Sequence, residues 1–148
     1  YIGLSENAIL LYNLFEVKSM HVAHKRIHKN EKTIDFYNPL NIILDTKSRD
    51  LAEYVKTLFF ETDYNLIFDS LKYIKLEEWF FYFSRLLYPS YYFDCLEDII
   101  IYNTDLDCQK KISLKANEYE KNLKDLYILM RRYIKMPIIE WLSDINNF

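Results

Sequence analysis

Along most of this chain, apolar residues recur at three- and four-residue spacing, the period of a helix with one buried face. From Ser5 to Glu16 the positions Ala8, Ile9, Leu11, Tyr12 and Phe15 fall on one side, with Ser5 in the cap position. The period is lost between Met20 and Ile27, where short alternation surrounds three histidines. Thr33 to Phe36 reads as a brief strand, and Asn38-Pro39 breaks it. Leu40 to Leu44 fits either a strand or a helical turn. These segments together predict a small β element near residues 20–44.

Helical spacing returns at Asp50. Asp50-Leu51-Ala52-Glu53 has the form of a capping box with aspartate as the cap, and Leu51, Tyr54, Val55, Leu58 and Phe59 follow at helical spacing. After Glu61-Thr62-Asp63 comes a helix carrying Leu66, Ile67, Leu71 and Ile74. Leu76 to Tyr88 is apolar all round and stops at Pro89, which predicts a helix at the centre of a bundle. Ser90 to Ile101 is the next helix, with Tyr92, Phe93, Leu96, Ile99 and Ile100 inward. Two more are predicted at about Leu106–Ala116 and Tyr119–Tyr133, the second lined by Leu123, Leu126, Tyr127 and Met130. Pro137 introduces a short terminal helix, Ile138 to Ile145. The pattern predicts a mainly α chain of about seven helices, organised as a single helical domain over residues 1–148.

Composition agrees with a packed domain: 148 residues, 51% hydrophobic and 28% charged. The formal net charge of −3 argues against a general nucleic-acid binder. No apolar run approaches the ~18–20 residues of a membrane span, and no signal-peptide pattern opens the chain. A cytoplasmic protein is the expectation. Cys95 and Cys108 sit among apolar and acidic neighbours, which suits free thiols better than a disulfide or a nucleophile. Fourteen tyrosines, ten phenylalanines and two tryptophans fall mostly at core spacing. The turn Tyr88-Pro89-Ser90-Tyr91-Tyr92 is the exception and is a candidate contact with a protein partner.

Gly3 is the only glycine, so no phosphate-cradling loop is encoded here. If the protein binds a nucleotide, the roof of that site is expected upstream of Tyr1. His21, His24 and His28 have spacings that would put them on one helical face. Lys25, Arg26 and Lys29 lie among them and would repel a metal, so zinc is not expected.

One succession carries chemistry: His24-Lys25-Arg26, then Ile34-Asp35-Phe36, then Ser48-Arg49-Asp50-Leu51-Ala52-Glu53-Tyr54. It resembles the floor of the active site in aminoglycoside- and choline-kinase-like phosphotransferases. There a loop of the form H-G-D-x-x-x-x-N precedes a strand with a metal-binding aspartate, and D-L-A opens a later helix. The closer resemblance is to spore-coat-associated kinase-like proteins. It rests also on Ala8 to Tyr12, on Arg85-Leu86-Leu87-Tyr88-Pro89 and on Tyr92-Phe93.

The resemblance implies a kinase-like C-terminal lobe that would pack against its own N-terminal lobe. In that frame His24 orients the catalytic loop, and Arg26 stands where the acceptor-orienting aspartate would be. Glu31 stands near the expected metal-binding asparagine. The metal aspartate itself falls on Asp35 or, counting back from Arg49-Asp50, on Asn41. Arg49 and Asp50 would brace the loop. With a cation at the base position, the resemblance implies a degenerate kinase with a binding or scaffolding role, associated with spores. Two alternatives stay open: a phosphotransferase that uses ATP and Mg2+ through Asp35, and a helical interaction domain unrelated to kinases.

Overall fold

The computed structural model describes residues 2–16, 18–25, 27, 38–58, 64–102 and 107–143. Among them are seven α-helices and one two-stranded antiparallel sheet, a mainly α architecture. Helix α1 spans Ile2–Asn13, and strands β1 (His21–His24) and β2 (Ile42–Asp45) follow. Helix α2 is Arg49–Leu58, α3 is Tyr64–Ser70 and α4 is Trp79–Leu87. The chain continues through α5 (Ser90–Tyr102), α6 (Asp107–Arg131) and α7 (Glu140–Ser143).

Helix α4 is the hub. Trp79, Phe81, Tyr82, Phe83, Ser84, Leu86 and Leu87 are all buried, as its all-round apolar sequence requires. It packs on α1, α2 and α6. Its polar atoms are satisfied internally: Tyr82 and Ser70 hydroxyls meet at 2.6 Å, and Trp79 Nε1 donates to the Ile74 carbonyl at 3.3 Å. Burial pushes the Tyr82 phenol well above its usual range. The Phe83 and Tyr127 rings stack with centroids 5.8 Å apart. Tyr127 then donates to the Pro137 carbonyl at 2.6 Å and accepts from the Ile139 N–H at 3.0 Å, tying α6 to the approach to α7. Leu123, Leu126, Tyr127 and Met130 line the buried side of α6.

Several boundaries differ from the periodic reading. Helix α1 begins at Ile2, so Ser5 lies inside it rather than at its cap. Leu4, Ala8 and Leu11 form its buried stripe, which extends the helix one turn earlier. Ile9 is outward, and Tyr12 is half exposed although its ring and that of Phe15 reach Phe81. Helix α6 is continuous where two helices were expected, because nothing between Asp107 and Arg131 is glycine or proline. Ile100 is exposed: three consecutive isoleucines at 99–101 sweep too wide an arc for one face to bury them all. Leu40 belongs to a single 3₁₀ turn, Pro39–Asn41, that leads into β2. The segment expected to be a strand at Thr33 to Phe36 lies outside the described residues, as do the side chains of Cys95 and Cys108.

The sheet pairs His21 with Asp45, Val22 with Leu44, Ala23 with Ile43 and His24 with Ile42. Ala23 is buried while Val22 and Leu44 face outward. Strand alternation sends His21 and His24 to opposite faces, which removes the shared helical face considered for a metal.

Candidate functional site

The first turn of α2 abuts the end of β1. Ser48 is its cap residue, since the Ser48 carbonyl accepts from the Ala52 N–H at 3.0 Å. Asp50 therefore sits inside the helix, and its carboxylate is not a cap. Oδ1 accepts from the His24 backbone N–H at 2.7 Å and Oδ2 pairs with His24 Nδ1 at 2.8 Å. Glu53 likewise does not close a capping box; its carboxylate is turned to Arg85 and Lys56. Both acids find partners across the fold that are stronger than a terminal N–H.

Arg49 completes the clamp from the other side. Its Nε donates to the His24 carbonyl at 2.8 Å and Nη2 to the Lys25 carbonyl at 3.0 Å. Nη1 reaches Asp45 Oδ2 at 2.5 Å. The planar guanidinium thus reads two successive carbonyls at once, which a lysine ammonium would not do. Asn41 approaches from the third direction, its carbonyl accepting the Lys25 N–H at 2.8 Å. His24 and Arg49 are mostly buried and Asp50 is one-third exposed.

The clamp fixes the backbone of His24 and Lys25 through both N–H groups and both carbonyls. It also sets Nδ1 as the donating nitrogen of the His24 ring. Of the residues singled out from sequence, His24, Asn41, Arg49 and Asp50 meet here. Arg26, Glu31, Asp35 and His28 lie outside the described residues. His21 is apart from the clamp, with Nε2 3.2 Å from Ser19 Oγ.

A magnesium nucleotide needs carboxylate oxygens free to face it. Around His24 the described carboxylates are Asp45 and Asp50, and both are engaged, by Arg49 and by His24. Asn41 offers only an amide. No group of three or more histidine, cysteine, aspartate or glutamate side chains among the described residues could hold a metal ion. These residues do not fit a magnesium site. No described helix is long and apolar enough to cross a membrane.

A cleft of about 680 Å³ opens beside the clamp, between the α1–β1 connection, the start of α2 and the turns that precede α4. Its floor includes Phe15, Leu51 and Ile74, and Asp50 and Tyr54 line the α2 side. The exposed ion pair Lys18–Glu77, 3.2 Å, joins the α1–β1 connection to the turn before α4. A volume of this size suits a small ligand or a short segment of chain. The sequence reading missed this cleft because its walls come from three distant stretches with no shared motif.

It also missed a buried ionic cluster on the second turn of α2. There Glu53 Oε1 accepts from Arg85 Nε at 3.1 Å and from Nη2, and Lys56 Nζ lies 3.6 Å from the same oxygen. Lys56 also donates to Ser90 Oγ at 3.2 Å. The only sequence signal was Lys56 falling on the same face as the apolar Ala52 and Val55.

Nothing among the curated proteins or the solved structures matches the chain significantly. The family model described as "Spore coat putative kinase YutH" matches residues 1–133, and the chain belongs to that spore-coat kinase-like family.

Proposed function

We propose that this chain is the helical C-terminal lobe of a kinase-like protein that has lost phosphoryl transfer and serves the spore coat as a binding or scaffolding lobe. The observation that carries the reading is the Arg49–Asp50 clamp on His24 and Lys25. A kinase-like protein needs a carboxylate just beyond such a braced turn to orient the acceptor hydroxyl. Here the residue two positions after His24 is Arg26, whose guanidinium stays charged and cannot take a proton. The rigid turn is retained while the group it would present has changed sign.

The pairing of β1 with β2 supports Asn41 as the counterpart of the metal-binding aspartate. Asn41 directly precedes β2 and bonds to the residue that follows β1. A neutral amide there would hold magnesium poorly. Asp35 is the alternative position, and the only one that would keep ATP and Mg2+ chemistry. An N-terminal lobe of the same protein and a coat protein are the partners this reading implies. The cleft beside the clamp gives such a lobe a place to bind.

The test uses the full-length protein. Its thermal unfolding is followed with ATP plus Mg2+ and with ATP plus EDTA, and transfer of the terminal phosphate is assayed in parallel. The expected result is no magnesium-dependent shift and no transfer. A magnesium-dependent shift, or transfer, that disappears in Asp35→Ala or Asn41→Ala would overturn the proposal in favour of an active phosphotransferase.

A further inference from the structure

Charge is buried where the α4–α5 corner meets α2. Lys56 is 1% exposed and Glu53 6%, while Arg85 keeps about a quarter of its side chain in water. The cluster holds one carboxylate and two cations. A further cation, Arg49 on the same helix, acts on both Glu53 and Lys56 but is itself paired with Asp45. From α4 the charged group facing Lys56 is Arg85, and from α5 it meets the neutral Ser90 hydroxyl. With every group ionised, the cluster carries one positive charge in excess, in a place with little water to solvate it.

Its position gives that excess a consequence. Arg85 lies in the last turn of α4, Ser90 is the first residue of α5, and Tyr88-Pro89 link them. Glu53 and Lys56 therefore hold both sides of the corner to α2. The corner displays an aromatic group, with Tyr88 and Phe93 centroids 5.6 Å apart and Tyr92 and Phe93 5.9 Å apart.

We propose that Glu53, Lys56, Arg85 and Ser90 form a proton-operated latch that sets how tightly the α4–α5 corner is held on α2. With Lys56 protonated, the excess buried charge weakens the attachment. When the Lys56 ammonium gives its proton to solvent, a balanced Glu53–Arg85 pair remains, and the neutral amine still bonds Ser90. The corner then tightens.

The titration falls in an accessible range. Burial first, then repulsion from Arg85 and Arg49, pushes Lys56 down to about 8, against the opposing pull of Glu53. The unfolded chain, with an ordinary lysine near 10.5, binds more protons between these values. Folding stability from this group is therefore lowest below about pH 8 and rises towards pH 10.5. The device is independent of the kinase-like reading, because none of its four groups, Glu53, Lys56, Arg85 and Ser90, binds His24.

The full chain is tested by urea unfolding from pH 7 to 9.5, beside Lys56→Met. The folding equilibrium constant of the native protein is expected to rise by about tenfold or more relative to the variant. Amide hydrogen exchange, corrected for intrinsic rates, should show protection at residues 87–93 rising with pH in the native protein. In Ser90→Ala the global gain should persist while that local gain shrinks. Should Lys56→Met not fold, ¹³Cε-lysine resonances of the native protein report the same event, with one lysine titrating near pH 8. Parallel pH profiles for the two proteins, unchanged protection at residues 87–93, or lysines that all titrate above pH 10 would each overturn the latch.

Discussion

The first and second turns of α2 both carry charged pairs, yet they sit in different surroundings. Arg49 and Asp50 lie at the edge of the fold, and what they hold is backbone: the N–H and carbonyl groups at the end of β1. Glu53 and Lys56 lie one turn further on, among helices, and what they hold is other side chains. In the first case two carboxylates, Asp45 and Asp50, meet Arg49 and the His24 ring where water still reaches them. In the second, one carboxylate meets two cations with little water between them. The helix thus fixes a loop at one turn and adjusts helix packing at the next, and burial separates the two roles.

The sharpest way to break this comparison is to remove Glu53. Glu53→Ala leaves Arg85 and Lys56 facing each other without a carboxylate, and the expected loss is about 3 kcal/mol in urea unfolding at pH 7. The triple change Glu53→Leu, Lys56→Met and Arg85→Leu should recover most of it, since apolar side chains of similar volume carry no desolvation penalty. If the triple variant is as unstable as the single one, packing rather than charge governs this turn. Acid gives a second reading of the same group. Burial alone would raise the Glu53 carboxyl, but Lys56 and then Arg85 outweigh it and hold it below 4.5. Its contribution is complete above the unfolded value of 4.5 and is lost as pH falls through the lower folded value. Glu53→Gln should flatten that part of the acid-unfolding curve.

The contrast also explains how far the sequence could be read. Helix α4 was legible because aromatic and aliphatic residues fill every face of it, and only a central position buries them all. The order His24, then Arg49-Asp50, pointed to a clamp, but its wiring was misassigned. Asp50 and Glu53 match a capping box in spacing, and local spacing carries no information about a histidine 26 residues earlier or an arginine 32 residues later. Glu53 and Lys56 have the three-residue spacing common to ion pairs on exposed helices, so nothing in the spacing marks them as buried. Only the packing of α4 and α5 over that face makes them buried. The continuous α6 was split in the reading because its apolar stripe thins around Lys115–Glu118, although no residue there breaks a helix.

At the first turn, the expected effect is smaller and lies more in local order than in global stability. Asp50→Ala removes two hydrogen bonds to a carboxylate that is one-third exposed, so a loss of about 1–2 kcal/mol is expected. The amides of His24 and Lys25 should exchange faster by a larger factor than those of α4. Arg49→Lys should resemble this, because an ammonium cannot bridge two carbonyls and Asp45 together. If Asp50→Ala instead speeds exchange throughout α4, the clamp belongs to the core and the separation between the two turns fails.

The smallest effect belongs to the ion pair with the greatest exposure. Lys18 and Glu77 keep 64% and 47% of their side chains in water. Water and salt screen such a pair, and ordering two long side chains opposes it. Lys18→Ala is expected to change stability by under about 0.5 kcal/mol and to lose even that in high salt. The pair links the α1–β1 connection to the turn before α4, so its removal should still loosen that side of the cleft, raising amide exchange near Ser19 and Lys75. A stability loss above about 1 kcal/mol would mean that the cleft wall is part of the folding unit. Exposure would then not rank the three charged sets, and the distinction between the turns of α2 would need a cause other than burial.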